Sequence, residues 1–332
     1  MKSTGVFRHA GGLVALAVAS LGGCSGLPAS PGAQTAVSAK DGALRRDQIK
    51  SWMAADAKTK DLLYLTIGTV NVYSYPQGVL EGQLTGFSDP LGDCTDKAGD
   101  VYIADYTKDA VVEYAHGGTQ PLRTLSVPGT GPVNCAVDPT SGDLVVTTSG
   151  NASGGGANVA VYHKAKGTPV TYTDSEIEGF TYCAYDHAGD LFVDGTPAPG
   201  YGYDFELAEL SKGAKALAPV TLQGGVSWDG ALQWDGRYLA VGQPIRPAIQ
   251  RYAIRARHGK LLGTTPLTSA YDAGQFIIIG NKAVVVNEYF YDIYFYRWDL
   301  LLFNYPAGGY DTSVIENSGS QTTSVALSKR RK

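Results

Sequence analysis

Charge is scarce in this 332-residue chain: Asp, Glu, Lys and Arg make up 17% of it, against roughly 25% in typical soluble domains. The net charge is −4, and the basic cluster that stands out is the terminal Lys329-Arg330-Arg331-Lys332. Four residues at a chain end make a solvated tail rather than a phosphate site, so nucleic acid is not an expected partner. Long apolar runs are also missing. The stretch Leu13-Val14-Ala15-Leu16-Ala17-Val18-Ala19 is far short of the roughly 20 residues a spanning helix needs. No P-loop, zincin or nucleophile motif occurs, and His116, His163, His187 and His258 stand apart from any partner constellation.

Glycine (42) and tyrosine (21) are abundant instead, the profile of a turn-rich β-protein. At the N-terminus Lys2 and Arg8 precede the short apolar stretch, which runs into Leu21-Gly22-Gly23-Cys24, the layout of an export signal. That tetrapeptide resembles the lipobox of bacterial lipoproteins, in which the cysteine thiol receives diacylglycerol. The resemblance implies a signal peptide over 1–23, lipid attachment at Cys24, and a place on the bacterial cell envelope with membrane contact through the lipid alone. The alternative is an ordinary signal peptide with Cys24 incidental. Residues 24–60 begin Ser25-Gly26-Leu27-Pro28 and read as a tether, with a short helix expected between Arg45 and Lys60 around Ile49, Trp52 and Met53.

The body is a repeat. Cys94-Thr95-Asp96-Lys97-Ala98-Gly99-Asp100-Val101-Tyr102-Ile103 is echoed from Cys135 to Val146 and from Cys183 to Asp194, with weaker copies from Trp234 and Ile279. Turn glycines 99, 142, 189, 236 and 280 are spaced by 43, 47, 47 and 44 residues, a propeller-blade period. Each unit reads as four strands, with a tight Asp-x-x-Gly-Asp turn after the first that needs Gly for positive φ and Asp to hold the following amides. The segment from Asp61 lacks an inner strand, and a lone strand-like segment, Thr323-Ser324-Val325-Ala326-Leu327-Ser328, is placed to supply it. The expected fold is therefore an all-β, six-bladed β-propeller over 61–328, monomeric, closed by its C-terminal strand. A seventh blade is open if 300–322 hides a partial unit.

Asp96 to Asp105, with Val111 to Tyr114 following, resembles the NHL repeat, and the chain more broadly is similar to the NHL and SMP-30/gluconolactonase-like propellers. In the SMP-30 lactonases a divalent metal at the axial mouth is held by Glu, Asn and Asp from different blades. Here the inner strand of the first blade offers Ser324 or Ser328 where that Glu would stand.

Aligned inner strands place Asp93, Asn134, Tyr182, Gly230, Gln275 and Ser324 at one level near the axis. Carboxylate and carboxamide oxygens there could hold Ca²⁺ with water; Asp105, Asp194, Asn287 and Glu288, at the ends of second strands, could add ligands or charge. The other reading has Asp105 capping its own loop. Cys94, Cys135 and Cys183 occupy matching positions, to be read first as buried thiols, second as one disulfide between neighbouring blades, last as a thiolate metal site. Long loops at 149–158, 195–204 and 243–247, on the face opposite the Asp-x-x-Gly-Asp turns, are where binding is expected. The aromatic run from Asn287 to Trp298 is either blade packing or a stacking surface for a planar ligand. The leading expectation is a non-catalytic binding or scaffold propeller for a protein or carbohydrate. Its rivals are a metal-dependent lactonase and an assembly protein using the aromatic sixth blade.

Overall fold

The structure, a computed structural model, describes residues 50–150, 156–197, 205–226, 228, 230–244, 247–268, 270, 274–292, 295–318 and 322–331, with backbone alone for 288–298 and 310–318. Cys24, the signal segment and most of the tether lie outside the described residues.

Six sheets are formed, one per repeat. The second blade shows the plan: inner strand Pro90–Thr95, then Val101–Asp105, Ala110–Tyr114 and outer strand Pro121–Ser126, each antiparallel to the one before. The turn chemistry follows the sequence. The Asp96 carboxylate accepts the N–H of Ala98 (2.8 Å) and Asp100 (2.9 Å), and Asp186 accepts those of Ala188, Gly189 and Asp190 at 2.7 to 2.9 Å. The glycines that close these turns, Gly99 and Gly189, sit at φ +86° and +91°, where a side chain would be strained.

Second strands such as Val101–Asp105, Leu144–Thr148 and Leu239–Gln243 are buried at every position, because each blade packs both faces on a neighbour. Among the described residues six apolar clusters result, one at each blade-to-blade junction. Tyr102 and Val111 of the second blade meet Leu144 and Tyr162 of the third, and Leu300 and Leu302 of the sixth meet Leu63 and Val325 of the first. Near the axis the inner strands are so close that a Cβ on Gly92 would lie 2.3 Å from the carbonyl oxygen of Val133.

The C-terminal strand Ser324–Ser328 pairs antiparallel with Asp61–Thr66, from Leu62 opposite Ser328 to Thr66 opposite Ser324, and so supplies the inner strand of the first blade. Tyr310–Ser318 is the outer strand of the sixth blade, which leaves no seventh among the described residues.

Three expectations change. Trp52–Met53 is not helical: it is a fifth, outermost strand of the first blade, paired with Leu80–Leu84, and a single 3₁₀ turn follows at Ala57–Thr59. Its edge position satisfies its backbone through a neighbouring strand where a two-turn helix could not. The basic tail is engaged as well as solvated. Arg331 pairs with Asp100 at 2.9 Å, and the N–H of Arg330 donates to the Asp61 carboxylate at 2.9 Å, across the first and second blades. Cys94 and Cys135 are not thiols but a disulfide, their Cα atoms 5.6 Å apart, within the bridging range, because equivalent positions on adjacent inner strands are brought together by the crowding at Gly92. Cys183 alone remains a buried thiol.

Candidate functional site

The inner strands enclose an axial cavity of about 310 Å³ whose lining runs from Asp93, Asn134 and Gln275 to Trp234 and Lys329. Exposure rises along it: Asp93, Asn134 and Gln275 are 4%, 6% and 6% exposed, Thr95 and Trp234 are half-buried, and Lys329 is exposed. The polar group is thus an end wall, and the exposed part of the lining lies on the side of the short turns. Of the long loops expected to bind, 151–155, 198–204 and 245–246 lie outside the described residues.

The wall is assembled by three blades. The Ser324 hydroxyl donates to Asp93 Oδ1 at 2.6 Å and accepts from the Asp93 N–H at 3.2 Å and from Gln275 Nε2 at 3.1 Å. One hydroxyl brought back by the C-terminal strand therefore orients a carboxyl of the second blade and a carboxamide of the sixth. Their remaining oxygens, Asp93 Oδ2 and Gln275 Oε1, are buried with no hydrogen-bond partner among the described residues. A buried polar atom left so costs roughly 1–3 kcal/mol, so both ask for a group supplied from the cavity. Burial pushes the Asp93 carboxyl up to about 8, against the opposing hydrogen bond from Ser324. At neutral pH it is mainly protonated and its Oδ2 is a donor, while Gln275 Oε1 is an acceptor. A ligand hydroxyl, which accepts and donates at once, is complementary to the pair.

The other expected site residues divide. Asn134 and Tyr182 line the same cavity. Asn134 Oδ1 lies 3.6 Å from Cys183 Sγ, and burial, with the Asp194 carboxylate second, pushes that thiol well above its ordinary range. Gly230 precedes the fifth inner strand, Leu232–Trp234, and is pressed on Gly242, with no room for a Cβ. Asp105 is fully buried and accepts the N–H of Ser88 and of Asp89, both at 2.9 Å, so it caps its loop instead of charging the mouth. Asp194 accepts the Tyr182 N–H through Oδ1 at 2.6 Å, so one of its oxygens serves the backbone. Asn287 is buried on the second strand of the sixth blade opposite Asp299; the side chain of Glu288 and those of the aromatic run that follows lie outside the described residues. Among the described residues no group of three or more His, Cys, Asp and Glu side chains is placed to share a metal ion. The far end, with Trp234 stacked on Phe192 at 6.3 Å, was not anticipated. Its one sequence signal is that Trp234 directly precedes the fifth turn aspartate.

No family profile and no curated protein sequence matches the chain. Solved structures do. A chain from a nidogen/laminin complex aligns with TM-score 0.57 at 9% identity, covering 82% of this chain and all of that one. A Bacteroides caccae protein of unknown function aligns at 0.58 with 11% identity and the same coverage. The β-propeller domain of Cps50 (Swd1) from Myceliophteria thermophila aligns at 0.53 with 12% identity, covering 82% and 88%. At these identities the likeness establishes the fold alone: this chain is a six-bladed β-propeller.

Proposed function

We infer that the protein is a binding propeller, exported and held on the bacterial cell envelope through a lipid on Cys24, and that its axial cavity takes a small neutral hydroxyl-bearing ligand such as the end of a carbohydrate. The observation that carries the binding site is the pair of buried oxygens, Asp93 Oδ2 and Gln275 Oε1, left unmet on the end wall of an open cavity. Donor and acceptor side by side select a group that is both, and few convergent polar atoms in a concave site are what orient a small ligand. Presenting loops to a protein is a second use this architecture supports, since one similar fold comes from a nidogen/laminin complex.

The lactonase reading, implied by the likeness to SMP-30 propellers, requires several charged oxygens converging on one point. Asp105 accepts two backbone N–H groups and Asp194 Oδ1 accepts one, and among the described residues Asp93 is the one carboxyl in the hydrogen-bonded wall, so this geometry favours binding over metal-assisted hydrolysis.

The test is the melting temperature of the purified protein with a panel of neutral monosaccharides, and separately with EDTA and with excess Ca²⁺, because specific binding must raise it by mass action. A rise of several degrees with at least one sugar, lost in Gln275→Ala, is expected. A rise with Ca²⁺ that Asp93→Ala abolishes would replace this reading with the metal-dependent one.

A further inference from the structure

The chain carries −4 overall, yet between Asp235 and Glu288 it has seven Lys and Arg against one carboxylate, Asp272. The fold gathers part of this excess on the outer edge of the fifth blade. There Ala248–Arg255 and His258–Pro266 form a hairpin, with Arg255 directly opposite His258 and Ala253 opposite Lys260. Thr221–Leu222 adds a parallel strand beyond it, with Thr221 opposite His258. Residues paired across strands, and those two apart along one, share a face, so Arg255, His258, Lys260 and Thr221 look out from one side of this three-stranded edge. All four are exposed, and they line a shallow groove of about 450 Å³ that Gln223 also borders.

This surface is built, not merely solvated. The Thr221 N–H donates to the carbonyl of Arg257 at 3.0 Å and the Gln223 N–H to that of Gly259 at 2.8 Å, so the added strand clamps the hairpin tip. At that tip Ala256 and Arg257 both have positive φ, 49° and 63°, a pair of positions where turns of this type strongly prefer Asn and Gly. Arg257 thus stands at a position where a smaller residue would be less strained. Arg255, Arg257, His258 and Lys260 make no ion pair or side-chain hydrogen bond among the described residues. Arg255, Arg257 and Lys260 crowd positive charge onto one edge, and an anion laid across them would offset their mutual repulsion.

We propose that this face of the fifth blade is a binding surface for an acidic polysaccharide, a ligand distinct from the one in the axial cavity. Cations at two-residue intervals engage carboxylate or sulfate groups along a chain, and Thr221 and Gln223 meet its hydroxyls. Leu222 also lines the groove and Leu262 is exposed beside it, so phosphatidylglycerol vesicles are the comparison that separates glycan from lipid docking.

The experiment is titration calorimetry of the full protein with polygalacturonate (carboxylate) and with heparin (sulfate), with dextran and phosphatidylglycerol vesicles as comparisons, at 50 and 200 mM salt. The surface variant is Arg255→Gln/Arg257→Gln/Lys260→Gln. A charge-matched control is Lys97→Gln/Lys166→Gln/Lys215→Gln, three exposed cations elsewhere. Saturable binding to at least one acidic glycan is expected, weakening at least tenfold at the higher salt. It should weaken at least tenfold in the surface variant at unchanged melting temperature, stay within about twofold in the control, and be absent with dextran and vesicles. Which glycan binds tells carboxylate from sulfate recognition. The proposal fails if neither acidic glycan binds, if the control loses as much as the surface variant, or if vesicles bind equally well.

Discussion

Asp93 gathers the site's chemistry in one side chain. Its carboxyl, at 3.8 in the open chain, is pushed up to about 8 by burial in the fold, so the folded state holds a proton that the unfolded state releases. The stability associated with that proton is fully present below pH 3.8 and is lost as the pH rises through 8, on the order of 5 kcal/mol across the whole range. Asp93→Asn keeps the shape and removes the titration. It should melt several degrees higher than the parent at pH 8 and flatten the decline of melting temperature between pH 5 and 8.5; parallel curves for the two proteins would refute the assignment. At this scale much was legible in advance. Asp93, Gln275 and Ser324 fall at one level because the repeat phases their strands identically, and that phase is written in the turn glycines. The hydrogen bonds were not legible, because Ser324 reaches Asp93 across 231 positions and no local pattern states which of its lone pairs are used. The role of Asp105 was not decided by the repeat either, since a strand-end carboxylate can cap or coordinate, and the amides of Ser88 and Asp89 make it a cap.

At the level of strands and turns, the disulfide shows what periodicity does and does not contain. Matching phase put Cys94, Cys135 and Cys183 on successive inner strands, which made a bridge conceivable. That the bridge joins Cys94 to Cys135 depends on how tightly the second and third blades approach at Gly92, a packing fact. The bond closes a sequence separation of 41 residues, for which the chain-entropy relation gives roughly 4 kcal/mol. Cys94→Ala/Cys135→Ala, or reduction of the parent, should lower the melting temperature by several degrees and leave the Cys183 thiol unmodified until unfolding; a melt unmoved by reductant would argue against the bond. The strand at Trp52–Met53 was hidden because two residues carry too little periodicity to tell helix from strand. The cationic hairpin was hidden differently, since Arg255, Arg257 and Lys260 are interleaved with neutral residues and their shared edge emerges only when two strands pair.

Over the whole molecule the decisive event is closure. The strand Ser324–Ser328 completes the first blade, puts Val325 into the junction with the sixth, and delivers Ser324 to the cavity wall. Removing residues 324–332 should therefore abolish cooperative unfolding as well as binding, as followed by near-ultraviolet circular dichroism on heating; a truncated protein melting within a few degrees of the parent would show that the ring does not need its clasp. The central claim is that this ring holds a hydroxyl-bearing ligand at its polar end wall. The measurement that tests it most directly is a crystal structure of the protein soaked with whichever sugar raises its melting temperature. The account predicts a sugar hydroxyl within about 3.2 Å of both Asp93 Oδ2 and Gln275 Oε1. A sugar seated away from these two oxygens, with both turned to other protein groups, would contradict it.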